Sequence, residues 1–171
     1  MMRNLFVWCG FVLACLASPL AVAASPDVTL NDVQDKPHHF SEYIGRGHWT
    51  ILVVWGPRCP PCIEEMPELQ GFHDDHKNGK AMVLGVAVDF PTFGQARREE
   101  VAQFADDHLI TFPLLLGNAE SFTRFGGADL QGMPTTLIYD RKGAIVVRHT
   151  GGITRDMIER FIAKSDAEAA Q

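Results

Sequence analysis

The feature that most constrains this sequence is a pair of cysteines, Cys59 and Cys62, placed directly after a long apolar run. That run, Trp49–Trp55 (WTILVVW), is rich in β-branched residues and is typical of a strand that is buried on both faces. The residues that follow, about 59–77, have a helical pattern. The sequence therefore predicts that both thiols lie where a buried strand passes into the N-terminus of a helix.

The other two cysteines, Cys9 and Cys15, lie in the opening segment of the 171-residue chain. This segment has one cation at Arg3, then an apolar run, then a small-x-small cleavage site, which is the order of a secretory signal peptide. We expect residues 1–23 to be a signal peptide and residues 24–171 to form one mature domain. The mature chain then retains only the later cysteine pair.

Two other interpretations of the N-terminal segment remain open. Residues 5–24 are about long enough to span a bilayer as an uncleaved anchor, since a membrane helix needs roughly 20 apolar residues. A lipoprotein with lipid on Cys15 is the third interpretation. All three place the domain outside the cytoplasm, in the periplasm or an equivalent extracytoplasmic space, and the uncleaved anchor would tether it to the inner membrane.

Two cysteines at this spacing in an exported chain form a disulfide or a reactive dithiol. A helix N-terminus favours a thiolate, because free backbone N–H groups and the positive end of the dipole lie there. We therefore predict that Cys59 is the nucleophile and that Cys62, which we expect to be more buried, resolves the mixed disulfide. Pro60 and Pro61 fit a helix start, where a missing N–H costs least. The alternatives are a permanent structural disulfide and a zinc site, for which no second cysteine pair remains.

Strand and helix patterns alternate along the rest of the chain, with no repeat and no linker long enough to divide two domains. The sequence predicts an opening hairpin at 28–31 and 38–40, a strand at 82–88, a helix at 95–108, a strand at 112–116, a short helix at 120–125, a hairpin at 135–139 and 144–150, and a final helix capped by Thr154. This order predicts an α/β fold in which helices cover a mixed sheet.

Three motifs together resemble the TlpA/ResA-like thiol-disulfide oxidoreductases of the thioredoxin superfamily. They are residues 53–69 (VVWGPRCPPCIEEMPEL), 132–136 (GMPTT) and 140–143 (DRKG). The resemblance extends over about residues 27–163. It implies a thioredoxin-like fold, with a mixed central sheet flanked by helices, an N-terminal hairpin and a strand-helix insertion within residues 82–108. It also implies an exported or membrane-tethered reductase.

The resemblance further implies that Pro134 is in the cis form and lies opposite the cysteine pair. An X-Pro bond is the only common place for a cis peptide, and it bends the chain sharply. The bend would leave Met133 with a free backbone edge on which an extended substrate segment can add as a strand. We accordingly assign Met133, Pro134 and Trp55 to substrate binding.

Glu65 lies three residues after Cys62, so it faces the same side of the helix one turn later. The spacing alone leaves two roles open: a proton acceptor for Cys62 during resolution, or a carboxylate that merely favours the positive end of the helix, as Glu64 and Glu68 do. The resemblance implies the first role. Val53 stands where thioredoxin carries a buried acid, so Glu65 has no obvious competitor.

Arg58 departs from the resembling family, which usually has Trp before the first cysteine. A guanidinium beside Cys59 favours the thiolate and hence the reduced protein. We expect Arg58, Pro60 and Pro61 to modulate the reactivity of the pair, and Arg58 to make it more oxidising. The direction of electron flow stays open, and the resemblance favours a reductase.

The sequence therefore predicts a thiol-disulfide oxidoreductase that acts on disulfide-bearing exported proteins, for which cytochrome c biogenesis is one setting. A membrane electron donor would re-reduce the dithiol. We expect no cofactor and no metal. Nucleic acid is excluded as a partner, because 15 Lys and Arg against 21 Asp and Glu leave a net charge of −6.

Three alternative functions remain. A copper-binding chaperone of thioredoxin fold would use both cysteines and a distant histidine such as His149. A disulfide oxidase would use the same dithiol in the opposite direction. A peroxiredoxin-like enzyme would need Thr at the position of Gly56. His73 and His76 lie at helical spacing, which predicts a solvated helix face more readily than a metal site.

Overall fold

The computed structural model describes residues 28–126 and 128–170. The predictions of a signal peptide at residues 1–23, an anchor at residues 5–24 and a lipid on Cys15 lie outside the described residues. Within the described part, no helix is long and apolar enough to cross a membrane.

The secondary-structure elements lie close to their predicted positions. In chain order they are β1 (Thr29–Asp32), β2 (Pro37–His39), a 3-10 turn (Phe40–Glu42), β3 (Trp49–Trp55), α1 (Pro60–His76), β4 (Ala81–Ala87), α2 (Arg98–Asp107), β5 (Leu114–Leu116), α3 (Ala119–Gly126), β6 (Thr135–Tyr139), β7 (Ile145–Thr150) and α4 (Arg155–Ala169). The side chain of Thr154 caps α4 by accepting a hydrogen bond from the Met157 N–H, as predicted.

Within residues 28–126 and 128–170, seven strands form one mixed sheet in the order β2-β1-β5-β4-β3-β6-β7. β3 is parallel to β4 and antiparallel to β6. β5 is parallel to β4, and β1 is antiparallel to β5. β1 with β2, and β6 with β7, form the two antiparallel hairpins. The predicted α/β fold with a mixed sheet is confirmed, and residues 82–108, where a strand-helix insertion was expected, contain most of β4 and all of α2.

β3 is buried along its whole length, and all of its residues except Thr50 are apolar, because both faces of the sheet are covered. On one face, Ile51, Val53 and Trp55 pack in a core cluster that also contains side chains of α1 and both cysteines of the pair. On the other face, Leu52 and Val54 pack in a second cluster with side chains of α3. The cysteine pair is therefore part of the hydrophobic core on the α1 side of the sheet.

His73 of α1 is only 6% exposed, which corrects the expectation of a solvated helix face. Its Nδ1 accepts a hydrogen bond from the Val83 backbone N–H at 3.2 Å, and its ring packs edge-on against Phe112. Burial lowers the pKa of His73, so the ring is neutral at pH 7. A neutral acceptor at this position attaches α1 to β4.

The end of β3 packs closely against the chain that follows β4. The Val88 N–H donates to the carbonyl oxygen of Trp55 at 2.8 Å. A Cβ on Gly56 would lie only 2.6 Å from the Val88 carbonyl oxygen and 3.3 Å from Cε of Met133. Glycine at position 56 therefore leaves room for the Val88 backbone and the Met133 side chain just before the cysteine pair.

We expect Gly56→Ala to lower the free energy of unfolding by about 1–3 kcal/mol, because the backbone must shift to accommodate the methyl group. The matched control is Gly71→Ala in α1, whose Cβ would meet only a guanidinium nitrogen of Arg155 at 3.6 Å. This control should raise the free energy of unfolding by about 0.5–1 kcal/mol through helix propensity. Urea unfolding of the oxidised proteins measures both effects. If Gly56→Ala had the same free energy of unfolding as wild type, the close approach of Gly56 to the Val88 carbonyl oxygen would be contradicted.

Candidate functional site: a cysteine pair at a helix N-terminus

The cysteine pair lies in the turn from β3 into α1. The Cys59 N–H donates to the Gly56 carbonyl oxygen at 3.1 Å. Cys59 is the N-cap residue of α1 and has an extended backbone, while Pro60 and Pro61 occupy the first helical positions. The helix start predicted from these prolines is confirmed, with Cys59 just before the first turn and Cys62 within it.

Cys59 and Cys62 are joined by a disulfide bond, with their Cα atoms 5.2 Å apart. Both residues are 0% exposed. The expectation that Cys62 is the more buried of the two is therefore not met in this oxidised form. Position in the helix still distinguishes them, because the dipole acts most strongly on the residue at its end.

The first turn of α1 offers fewer hydrogen-bond donors than we expected. Pro60 and Pro61 carry no backbone N–H, and the N–H of Cys62 donates to the Cys59 carbonyl oxygen at 3.0 Å. The N–H of Cys59 itself is bonded to Gly56. The expectation that free N–H groups stabilise a Cys59 thiolate is therefore wrong for this helix, and the dipole remains as the helical contribution.

Glu65 is 4% exposed and lies behind the cysteine pair on α1. Its Oε2 accepts a hydrogen bond from the Ile153 N–H at 3.0 Å, while its Oε1 has no partner among the described residues. Burial raises the pKa of Glu65 to about 7, and the Ile153 hydrogen bond offsets part of that rise. Glu64 and Glu68, by contrast, are exposed. A carboxyl that titrates near neutral pH can both accept and release a proton.

Met133 and Pro134 lie at the same edge of the sheet as the cysteine pair. Their peptide bond is cis, as the resemblance implied. Val54 of β3 pairs with Thr135 of β6, which places Pro134 beside the end of β3. The Met133 side chain packs against the core cluster that contains both cysteines, and its backbone N–H and carbonyl have no hydrogen-bond partner among the described residues. Met133 thus has the free backbone edge that strand addition needs.

The placement of Trp55 differs from its predicted role in substrate binding. Trp55 is 0% exposed, and its ring packs on Phe104 of α2 with the ring centres 4.8 Å apart. Its Nε1 has no hydrogen-bond partner among the described residues and would lie 3.1 Å from a Cβ on Gly85. A side chain so deeply buried presents no surface to a substrate, so we assign it a packing role.

Arg58 is half exposed, and its guanidinium is paired with two carboxylates. Nη2 of Arg58 forms an ion pair with Oδ1 of Asp89, and Nε lies 3.6 Å from Oε2 of Glu100. Its positive charge is therefore largely offset where the sequence predicted a free cation beside Cys59. The predicted shift towards a more oxidising couple is reduced accordingly.

The loop after β4 also contributes to the site, and sequence reasoning did not single it out. Phe90 is partly buried against the core cluster of the cysteine pair, and its Cβ would lie 3.6 Å from a Cβ on Gly56. The Phe90–Pro91 bond is a second cis peptide. The available signal was an X-Pro dipeptide, which does not specify the isomer by itself.

The described residues include no group of three or more His, Cys, Asp or Glu side chains that could hold a metal ion. His149, the histidine considered for a copper site, lies on β7 with Nε2 3.1 Å from the Gly152 carbonyl oxygen. The chemistry that the described site offers is that of a disulfide, a buried carboxyl and a free backbone edge.

Residues 22–148, well over half of the chain, match the sequence profile of the AhpC/TSA family. The chain belongs to the AhpC/TSA family. Among curated proteins, this AhpC/TSA chain is 29% identical over 140 residues to the thiol-disulfide oxidoreductase ResA of Halalkalibacterium halodurans, an alignment that covers 82% of this chain and 74% of ResA.

Solved structures share the fold of this AhpC/TSA member. A DsbF homologue from Corynebacterium diphtheriae superposes with a TM-score of 0.69 and 20% identity, covering 82% of this chain and 85% of that one. A secreted thiol-disulfide isomerase from Corynebacterium glutamicum superposes with a TM-score of 0.67 and 21% identity, covering 79% and 80%. The predicted thioredoxin-like fold and thiol-disulfide oxidoreductase class are confirmed, and the roles of individual residues stay predictions.

The raised pKa of Glu65 makes stability depend on pH. The folded protein holds the Glu65 proton up to about pH 7, whereas the unfolded chain loses it near 4.5, so wild-type stability falls between these pH values. Glu65→Gln removes this dependence. We expect its free energy of unfolding, relative to wild type, to rise by up to about 3 kcal/mol between pH 4.5 and 8. Urea unfolding of the oxidised proteins across this range measures it.

The matched control for this experiment is Glu64→Gln, since Glu64 is an exposed neighbour on the same helix. Its stability should run parallel to that of wild type at every pH. If Glu65→Gln also ran parallel to wild type, the Glu65 carboxyl would have an ordinary pKa and the proposed proton exchange near pH 7 would lose its basis.

Proposed function

We propose that this protein is an exported thiol-disulfide oxidoreductase that reduces disulfides of other exported proteins. The observation that carries the proposal is the Cys59–Cys62 disulfide at the start of α1, with a buried carboxyl behind it and a free backbone edge beside it. Few other chemistries use these three features together.

The first step is attack by reduced Cys59 on a substrate disulfide. The Cys59 thiolate forms a bond to one substrate sulfur, the substrate S–S bond breaks, and the other substrate sulfur leaves as a thiolate that takes up a proton. Because Cys59 precedes the first turn of α1, the positive end of the helix dipole favours its thiolate.

The second step releases the substrate. Cys62 loses its proton and attacks the Cys59 sulfur of the mixed disulfide, so the protein disulfide forms and the substrate leaves with two thiols. Glu65 is the group we assign to accept that proton, because it lies one turn after Cys62 and its pKa of about 7 suits exchange at neutral pH. A membrane electron donor would return two electrons to the disulfide.

Substrate binding is assigned to Met133 and Pro134. The unpaired backbone groups of Met133 can hydrogen-bond an extended segment of the substrate, as an added strand does. This edge lies beside the end of β3, so a substrate cysteine in the added segment would lie close to Cys59.

Two features favour a reductant over an oxidant. A strongly oxidising pair depends on a stabilised thiolate. The prolines of α1 remove two N–H donors, and the cation of Arg58 is paired with carboxylates. Both features leave the Cys59 thiolate less stabilised, and the reduced protein is then the better electron donor.

The first test is reduction of insulin by the reduced protein, followed through the precipitation of the freed chains. We expect Cys59→Ser to abolish the activity because the attacking thiolate is lost. Cys62→Ser should accumulate a mixed disulfide through Cys59, which is visible by mass spectrometry and is released by dithiothreitol. An unchanged rate in Cys59→Ser would rule out the assignment.

Export is the part of the proposal carried by the N-terminal sequence. Residues 1–23 have the order of a signal peptide, and the C. glutamicum protein with the same fold is described as secreted. Expression of the full chain in a Gram-negative host should yield a periplasmic protein whose N-terminal sequence begins near Ala24. A membrane-bound product that retains residues 5–24 would show that the segment is an uncleaved anchor. A product with lipid on Cys15 would show that the protein is a lipoprotein. A full-length product in the cytosol would contradict export.

A further inference from the structure

Arg58, directly before Cys59, lies in a network of four charged side chains. It forms an ion pair with Asp89, and its Nε lies 3.6 Å from Oε2 of Glu100. Glu100 also forms an ion pair with Arg97. Two cations and two carboxylates thus meet around the side chain of the residue that precedes Cys59, and their formal charges cancel.

The two carboxylates belong to elements other than the helix that carries the cysteines. Asp89 lies in the loop after β4, and Glu100 lies in the first turn of α2. A hydrogen bond from the Thr92 hydroxyl, together with the Arg58 guanidinium, holds the pKa of Asp89 below its usual range. Both carboxylates are more buried than Arg58, with side-chain exposures of 17% and 31% against 49%. The Asp89 and Glu100 carboxylates are therefore fixed in position more firmly than the Arg58 guanidinium.

Arg58 directly precedes Cys59 in the chain, so the charge of its guanidinium can affect the balance between thiol and thiolate at Cys59. The first turn of α1 supplies no free N–H to that sulfur, because of Pro60, Pro61 and the bonded N–H of Cys62. Glu65 lies on the Cys62 side of the pair. The influence of Arg58 on Cys59 then depends on how far the carboxylates already offset its charge.

We propose that Asp89 and Glu100 are positioning residues that hold the charge of Arg58 in ion pairs and thereby keep the Cys59–Cys62 couple more reducing than Arg58 alone would make it. The inference rests on the proposed function only in that the cysteine pair undergoes reversible thiol-disulfide exchange. In the reporting reaction, two glutathione thiols pass two electrons and two protons to the protein disulfide, giving the protein dithiol and one glutathione disulfide.

The test is the equilibrium constant of that reaction, measured for the full mature protein in glutathione buffers. Glu100→Gln releases Arg58 from one ion pair, so the guanidinium can favour the Cys59 thiolate. We expect about a threefold shift towards the dithiol, equivalent to about 14 mV for a two-electron couple. Asp89→Asn should shift the constant in the same direction. An unchanged constant in both variants would overturn the proposal.

The decisive comparison repeats Glu100→Gln in an Arg58→Met background. A carboxylate that acts through Arg58 has little effect once Arg58 is gone, so the shift should fall below about 1.3-fold. A carboxylate that acts directly on Cys59 would give the same shift in both backgrounds, and that result would overturn the proposal.

Glu99→Gln is the matched surface control. Glu99 is exposed, neighbours Glu100 on α2, and has no ion-pair partner among the described residues. It should leave the equilibrium constant unchanged, and a shift equal to that of Glu100→Gln would mean that any loss of negative charge suffices. The pH dependence of iodoacetamide alkylation of the reduced protein gives a second readout, whose midpoint should fall in Glu100→Gln and stay at the wild-type value in Glu99→Gln.

The two proposals fail in different ways. Wild-type protein that equilibrates with glutathione but does not reduce insulin would contradict the reductase and leave the comparison of charge variants valid. Insulin reduction with identical equilibrium constants in all charge variants would support the reductase and contradict the role of Asp89 and Glu100.

Discussion

The close approach of the Gly56 backbone to the carbonyl oxygen of Val88 is the constraint on which the site depends. It fixes the end of β3 relative to the chain after β4, and the hydrogen bond from the Cys59 N–H to Gly56 then sets the turn into α1. Met133 approaches the same glycine from the β6 side. Three segments distant in sequence meet at one residue without a side chain, so the disulfide and the cis-proline loop share one edge of the sheet.

Few charges or hydrogen-bond donors of the described site stabilise a thiolate at Cys59. Pro60 and Pro61 remove two N–H donors from the start of α1, and carboxylates from two other elements pair with the guanidinium of Arg58. On α1, one turn after Cys62, burial raises the pKa of the Glu65 carboxyl to about 7. This arrangement favours moving protons at Cys62 over stabilising a permanent thiolate at Cys59, which is consistent with the proposed role as a reductant.

Much of the fold was predictable because its signals are local. The nearly unbroken apolar run of β3, the prolines that start α1 and the Thr154 cap all reflect the conformation of a few neighbouring residues. The burial of Glu65 was only half predictable. Its helix face followed from spacing, but its partner Ile153 is 88 residues away.

The predictions that failed required tertiary information. Arg58 was expected to act as a free cation because its partner Asp89 lies 31 residues further along the chain. Trp55 was assigned to substrate binding because nothing local shows that Phe104 covers it. The expectation of free N–H groups at the helix start is different, since both prolines were visible in the sequence and their missing donors should have been counted.

The burial of the disulfide has a thermodynamic consequence. Cys59 and Cys62 lie in the same core cluster as Met66 and Phe72, so forming or breaking their bond changes the packing that stabilises the whole domain. Folding and reduction of the disulfide form a closed thermodynamic cycle. Any difference in folding free energy between the oxidised and reduced proteins therefore equals, in energy units, the difference between the reduction potentials of the folded and unfolded chains. The electron-donating strength of the pair is therefore a property of the entire α1 side of the core, and residues that never touch either sulfur contribute to it.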